Sequence, residues 1–476
     1  MRTIIINKNT YFGALTLFLL AAPRVAVSAT YHYEISVDES LQKMTVEARF
    51  ESRVSRIDAR ADHAGDVIEN AFDCDTGERL RVRSTRLRLP RGGIRCLQYT
   101  VDLDAANRRE RISAILHPDN VAASPRAWLW RPALYDGDTL TARFVLADGH
   151  RVYVPWKRIT DNEYELTTSP RSGSATALFG KFETAIASVG GANLRIVLPK
   201  TRNKIEFAPL VQWLRDTAES IASVYGRFPN PDASIVLIPI GESSWSNSAI
   251  PFGRVIRDGG ETIELLVNEN VSIDEFYGDW TATHELSHLF HPYLEREHRW
   301  ISEGFAQYYQ NILMARTGHY SDSKAWWEIV AGLERGRESV PHLSPNRAAA
   351  SRESGTRMKY YWAGAAIALL ADVELRQKTD HRLSLDVALG RLQACCLPAN
   401  RKWSGPEFFT QLDELTETSV FMDLYRQHAT RVGFPSTRET LRNLGVTDAS
   451  GRVNLDDAAP WAGIRQRIIA PVEEQR

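Results

Sequence analysis

The sequence predicts an α+β multidomain protein: an N-terminal β-sandwich-like domain, a mixed middle domain and an α-helical C-terminal domain. Three observations predict this. Short strands alternate with turn signals from Thr30 to about Ser169, helix and strand patterns mix from residue 170, and amphipathic helix dominates beyond about Ser323. The chain has 476 residues, 43% of them hydrophobic and 25% charged, which excludes a disordered chain. Its 58 basic and 59 acidic side chains give a net charge of −1. No cationic excess is available to neutralise phosphates, so no nucleic-acid partner is expected. Four cysteines are too few for a disulfide scaffold.

Residues 1–29 read as an export signal. Arg2 and Lys8 precede the apolar run Phe12–Ala22, and Val27-Ser28-Ala29 supplies small residues at a cleavage site. The run is well short of the roughly 20 residues a bilayer-spanning helix needs, and no later stretch supplies one. The expected protein is therefore exported, to periplasm or medium, with no stable membrane span after cleavage. Export implies an oxidising compartment. Cys74 and Cys96 lie in one strand-rich region and can close a local loop; Cys395 and Cys396, in a helical pattern, are expected as buried packing residues or, as the less favoured alternative, as a strained adjacent disulfide pair.

The β-domain is expected over residues 30–169. Arg79-Leu-Arg-Val-Arg83 and Arg86-Leu-Arg-Leu89 alternate with period two, setting arginines on one face. That stripe suits either an anionic ligand or, as favoured here, the wet face of a half-buried sheet. Thr139–Ala147 and Arg151–Trp156 are further strands, with Asp148-Gly149 as a hairpin turn. Trp128 and Trp130 are expected to pack in the core.

The middle domain is expected over 170–322. Leu210, Leu214, Ile221, Tyr225 and Phe228 recur at helical spacing, and Ser234–Ile240, Ile250–Ile256 and Thr262–Val267 read as strands. In the C-terminal domain, 323–476, helices are expected at Tyr361–Arg376, Leu385–Cys395 and Pro406–Gln427.

The chemistry lies in His284-Glu285-Leu286-Ser287-His288. Histidines at i and i+4 share one helical face, so both imidazoles reach one ion, while Glu285 can face an ion-bound water. The third donor is expected to be Glu303, opening a second predicted helix whose packing side carries Phe305, Tyr309, Ile312 and Leu313. A turn through Pro292–Arg299 would fold the two helices antiparallel. His291 and His298 are the rival donors. Two nitrogens and a carboxylate oxygen make a site for one Zn²⁺ ion with a position left for water. Glu285 would then be the general base, and an oxyanion donor would be needed, for which Tyr360 and Tyr361 are candidates.

His284–His288 followed by Trp300-Ile-Ser-Glu-Gly-Phe-Ala-Gln-Tyr-Tyr309 resembles the gluzincin metallopeptidases. Tyr361-Trp-Ala-Gly-Ala365, Ala368–Arg376 and Ser384-Leu-Asp386 resemble the glycyl aminopeptidase family among them. The resemblance implies a thermolysin-like zincin domain between the β-domain and the helical domain. It also implies that Tyr361, three residues before Gly364, is the transition-state donor. The sequence departs from that family in several places. Fourteen residues separate His288 from Glu303, Ala363 stands where the motif carries Lys, and no PDZ domain follows. The region Ser243–Gly253 lacks the acidic residue that binds a substrate's amino terminus, though it can supply an edge strand for an extended peptide.

The sequence thus points to an exported zinc metallopeptidase acting on peptides or proteins, with aminopeptidase action as the resemblance implies. The alternative of a different class is a non-catalytic peptide-binding or scaffold protein that keeps a structural zinc. A carbohydrate-binding β-protein using Trp128 and Trp130 has only those aromatics behind it.

Overall fold

The computed structural model describes residues 28–110, 116–169, 175–201, 206–240, 248–449 and 451–470. The expected export segment, apart from Ser28 and Ala29, and residues 243–247 of the expected substrate-edge region lie outside them.

The first part is built from β1 (Thr30–Val37), β2 (Lys43–Val54), β3 (Ile68–Phe72), β4 (Arg81–Arg83), β5 (Arg86–Arg88) and β6 (Ile94–Asp102). There follow β7 (Asn120–Ala123), β8 (Thr139–Val145), β9 (Arg151–Tyr153), β10 (Lys157–Arg158), β11 (Glu163–Leu166) and β12 (Ala177–Gly180). A seven-stranded sheet runs β10-β11-β8-β1-β2-β6-β3, and a three-stranded sheet runs β7-β12-β9. The strands of β1 and β2 alternate buried and exposed residues, as a sheet with one wet face requires. The three-stranded sheet has no wet face. Val121, Ala123 and Phe179 join the core of the large sheet, while Ala122, Tyr153 and Leu178 pack against Val197, Val236 and Ile238 of the next sheet.

Asp148-Gly149 does not close the expected hairpin. Gly149 turns at φ 76°, but β8 pairs with β1 and β11 while β9 pairs with β12, so the turn carries the chain from one sheet to the other. Trp128 and Trp130 are fully buried, with Trp128 ending a short helix rather than lying in a strand.

The second part is a five-stranded sheet of β13 (Glu183–Val189), β14 (Ala192–Leu198), β15 (Ser234–Pro239), β16 (Phe252–Arg257) and β17 (Glu261–Val267). The order is β13-β14-β15-β17-β16, parallel from β14 to β17, with β16 antiparallel at the edge. Helix α1 (Phe207–Ala222) packs Leu210, Trp213, Leu214, Ala218 and Ile221 into the large central core.

The remainder is mainly helical, with main elements α2 (Thr281–Ser287), α3 (Arg299–Arg316) and α4 (Thr356–Lys378), but near its end Val446–Asp448 and Val453–Leu455 pair as an antiparallel two-stranded sheet that the all-helical expectation missed. Two further expectations need correction. Pro406–Gln427 is not one helix but two, Gly405–Thr416 and Val420–His428. Glu417 adopts a left-handed φ of 54°, and the Asp413 carboxylate accepts the amide hydrogens of Phe421 and Met422, capping the second helix. Cys395 and Cys396 are not the buried packing thiols favoured above but the alternative, an adjacent pair bonded to each other, with Cys395 exposed at the end of helix Leu385–Cys396. Cys74 and Cys96 are also bonded. No helix among the described residues is long and apolar enough to cross a membrane.

Several motif residues prove to be structural. Tyr308 donates to Asp372 (2.9 Å), which also takes Arg376 (3.0 Å) and the amide of Leu385 (2.9 Å). Tyr309 donates to Asp386 (2.7 Å), which pairs with Arg316 (2.8 Å). The side chains of both networks are buried, so each charge is compensated inside the core. Asp386→Ala should leave the Arg316 guanidinium uncompensated and lower stability by about 3–5 kcal/mol, read from urea denaturation.

Candidate metal centre

Helix α2 begins after Trp280, and Asp279 positions its first turn. One carboxylate oxygen accepts the Thr281 amide (2.8 Å) and the other accepts the Ile250 amide (3.0 Å) and the Ser248 hydroxyl. The helix therefore starts tied to the segment leading into the edge strand. It tightens at His288 into a 3₁₀ turn, His288–Phe290, so the ending expected at Pro292 comes slightly earlier. His284 and His288 are buried on one face, their ring centroids 5.0 Å apart and nearly perpendicular.

Helix α3 begins at Arg299, so Glu303 lies in its second turn rather than opening it. Its Oε2 is 3.5 Å from His284 Nε2 and 3.6 Å from His288 Nε2. The three donor atoms lie within 4.8 Å of one another. Each imidazole is held from behind: His284 Nδ1 donates to Gln310 Oε1 (2.7 Å), and His288 Nδ1 meets Ser302 Oγ (3.1 Å). The Gln310 oxygen, an acceptor, fixes the Nδ1–H tautomer of His284, and the Ser302 hydroxyl is able to accept from His288 in the same way, which leaves Nε2 of each ring to present its lone pair to the centre. Two imidazole nitrogens and a carboxylate oxygen converging this way fit zinc's preferred donors and leave a coordination position open. Gln310 and Ser302 escaped the sequence reading. Gln310 stands seven residues from Glu303, two helical turns along the same face, which was the available signal.

The rival donors do not converge. His291 directs Nδ1 to the Pro292 carbonyl (3.0 Å), and burial, then Arg257, presses its pKa down to about 3. His298 meets the Tyr425 hydroxyl through Nε2 (3.0 Å) and groups with Glu295 and Glu297 instead.

Glu285 is buried beside the centre. Burial, together with the Glu303 carboxylate and against the lowering effect of His284, pushes its pKa up to about 7. The close approach of β16 permits this placement. A Cβ on Gly253 would lie 2.4 Å from Glu285 Cγ. Arg257, on the same strand, donates to the carbonyls of His288 (2.8 Å) and His291 (3.2 Å) and is held by Glu261 (2.6 Å). It thereby satisfies carbonyls left free where the helix ends.

Of the two tyrosines, Tyr361 faces the centre. Its ring stacks on His284, with centroids 5.9 Å apart and planes 5° apart. Burial, then the Glu303 carboxylate that its hydroxyl bonds, holds its pKa well above the ordinary phenol value. Tyr360 instead lies under the Arg299 guanidinium, 4.6 Å from the ring centroid. What brings Tyr361 in is a helix crossing without side chains. A Cβ on Gly304 would meet Gly364 Cα at 2.2 Å, and one on Gly364 would meet the Trp300 carbonyl oxygen at 1.9 Å.

A solved aminopeptidase N family protein from Idiomarina loihiensis superposes with a TM-score of 0.64 at 14% identity, over 88% of this chain and 78% of that one. The fold is that of the aminopeptidase N family. An M1 zinc metallopeptidase from Deinococcus radiodurans matches with a TM-score of 0.47 at 15% identity, over 86% and 94% of the two chains. A point mutant of that metallopeptidase, bound to a Tyr-Ser-Ala substrate, matches at 0.48, 15% identity, 86% and 95%. No family model matches the sequence, and no curated protein does.

Gly364→Ala should force α3 and α4 apart. The expected outcome is a loss of about 1–3 kcal/mol in thermal melts and weaker zinc binding by titration, because Glu303 and Tyr361 leave the centre together.

Proposed function

We propose that the chain is a zinc metallopeptidase that hydrolyses peptide bonds, with His284, His288 and Glu303 holding one Zn²⁺ ion. The observation that carries this is the convergence of three donors with Glu285 and Tyr361 against the same centre. Zinc bound there supplies Lewis acidity, polarising a carbonyl and acidifying water.

The chain's own groups do the rest. Glu285, buried beside the centre, takes the proton of the attacking water at its carboxylate and delivers it to the departing amine nitrogen. The Tyr361 hydroxyl, protonated throughout the ordinary pH range, donates to the oxyanion that develops on the scissile carbonyl. Among the described residues strand β16 ends its sheet with no strand on its outer edge, and Gly253 sits against Glu285, so a peptide added to that edge passes beside the general base. A site limited to three donors among the described residues favours catalysis over a structural role, since structural zinc sites are closed by four protein ligands.

Aminopeptidase action is the finer reading, supported by the resemblance of Tyr361–Arg376 and Ser384–Asp386 to the glycyl aminopeptidases and by the fold shared with an aminopeptidase N family protein. Export directed by residues 1–29, to periplasm or medium, is likewise proposed from their composition.

Glu285→Gln should retain zinc by elemental analysis while hydrolysis of a peptide library falls by about 10²–10⁴-fold. Undiminished turnover would exclude Glu285 as the base. Tyr361→Phe should lower kcat by about 10²–10³-fold with little change in KM. Gly253→Ala should reduce hydrolysis by displacing Glu285 while zinc content stays unchanged, as a chelator-sensitive residual rate would report.

A further inference from the structure

The β-domain carries a charge distribution that the peptidase reading does not use. Between Arg79 and Arg95 lie seven arginines and no acidic residue, in a chain whose overall net charge is −1. The hairpin of β4 and β5 concentrates them. Its antiparallel register sets Arg81 opposite Arg88 and Arg83 opposite Arg86, with Val82 opposite Leu87 on the other face. Leu87 is buried and Val82 half-buried, so the hydrophobic side is anchored and the four guanidinium groups stand together on the exposed side. Like charges directly opposite across a strand pair are destabilising, and this hairpin has two such pairs in succession. Among the described residues only Arg86 of the four has an acidic partner, Asp58 at 2.8 Å.

We propose that this face docks on a membrane surface bearing anionic phospholipid headgroups. Charge complementarity is one argument: the four arginines occupy facing positions of one short hairpin, and a planar guanidinium matches phosphate oxygens in bidentate fashion. The surroundings supply the other. None of the exposed large hydrophobic side chains lies between residues 79 and 95, so the hairpin itself carries no aromatic platform for bases to stack on, as single-stranded nucleic acid would need, and no apolar side chain for insertion below the headgroups. The binding is therefore electrostatic and superficial, drawn by the negative potential of the leaflet and weakened by salt.

The test is sedimentation of the purified chain with phosphatidylcholine vesicles containing or lacking phosphatidylglycerol. Binding is expected only to the phosphatidylglycerol vesicles and should fall as sodium chloride is added. The triple variant R81Q/R83Q/R88Q leaves the Arg86–Asp58 pair in place. At about fivefold per arginine near an anionic surface it should lose about a hundredfold in affinity. Its melting temperature should match or exceed that of the unaltered protein, because the opposed charges are relieved. Should that variant fail to fold, R81Q and R88Q singly should each lose about fivefold. Absence of vesicle binding, equal binding to neutral vesicles, undiminished binding by the folded variants, or binding to heparin or DNA but not to vesicles would each overturn the proposal.

Discussion

The site depends on two glycines in contact. Helices α3 and α4 cross where Gly304 meets Gly364, at a separation that admits no Cβ on either side. Glu303 precedes the first glycine, and Tyr361 lies three residues before the second. The crossing therefore sets, in one step, the distance from the carboxylate donor to the histidines and the approach of the phenol to His284. Such a contact contributes little apolar burial of its own. The cost is met around it, where Trp300, Phe305, Ile312, Trp362 and Leu369 fill one continuous core. The ion pairs Asp372–Arg376 and Asp386–Arg316, tied to Tyr308 and Tyr309, then fix the helices against rotation.

A second level of support comes from outside the helix pair. The short helix α2 cannot hold two imidazoles in register alone, because a helix of this length has little intrinsic stability. Asp279 secures its beginning to Ser248 and Ile250, and Arg257 secures its end at the carbonyls of His288 and His291. Both attachments lead to the edge strand. The strand suited to pair with an extended peptide is thus joined mechanically to the helix that carries the histidines and Glu285. Gln310 and Ser302 complete the arrangement by turning both Nε2 atoms toward the centre.

Much of the site was legible as a local pattern. The i, i+4 spacing of His284 and His288 is a helical fact that needs no tertiary information. Glu303 was reachable because a short link between two helices leaves few ways to fold them. Tyr361 was singled out from Tyr360 only by resemblance; in the structure, stacking on His284 distinguishes it. Asp372 and Asp386 show the opposite case. They belong to the motif that carried the resemblance, yet they compensate buried arginines rather than meet the metal centre.

By itself the sequence determined what depends on neighbours along the chain: the class of the long elements, the paired imidazoles with their adjacent base, and the alternation that leaves one sheet face wet. Tertiary structure decided what depends on the meeting of distant segments. The Asp148-Gly149 turn leads between sheets because β9 finds its partner in β12, and the helix expected over 406–427 breaks because Asp413 caps a second one. Gly253 against Glu285 and Gly304 against Gly364 are of the same kind. A glycine's spacing carries no periodic signal, and the clash it avoids exists only once the opposing backbone has arrived.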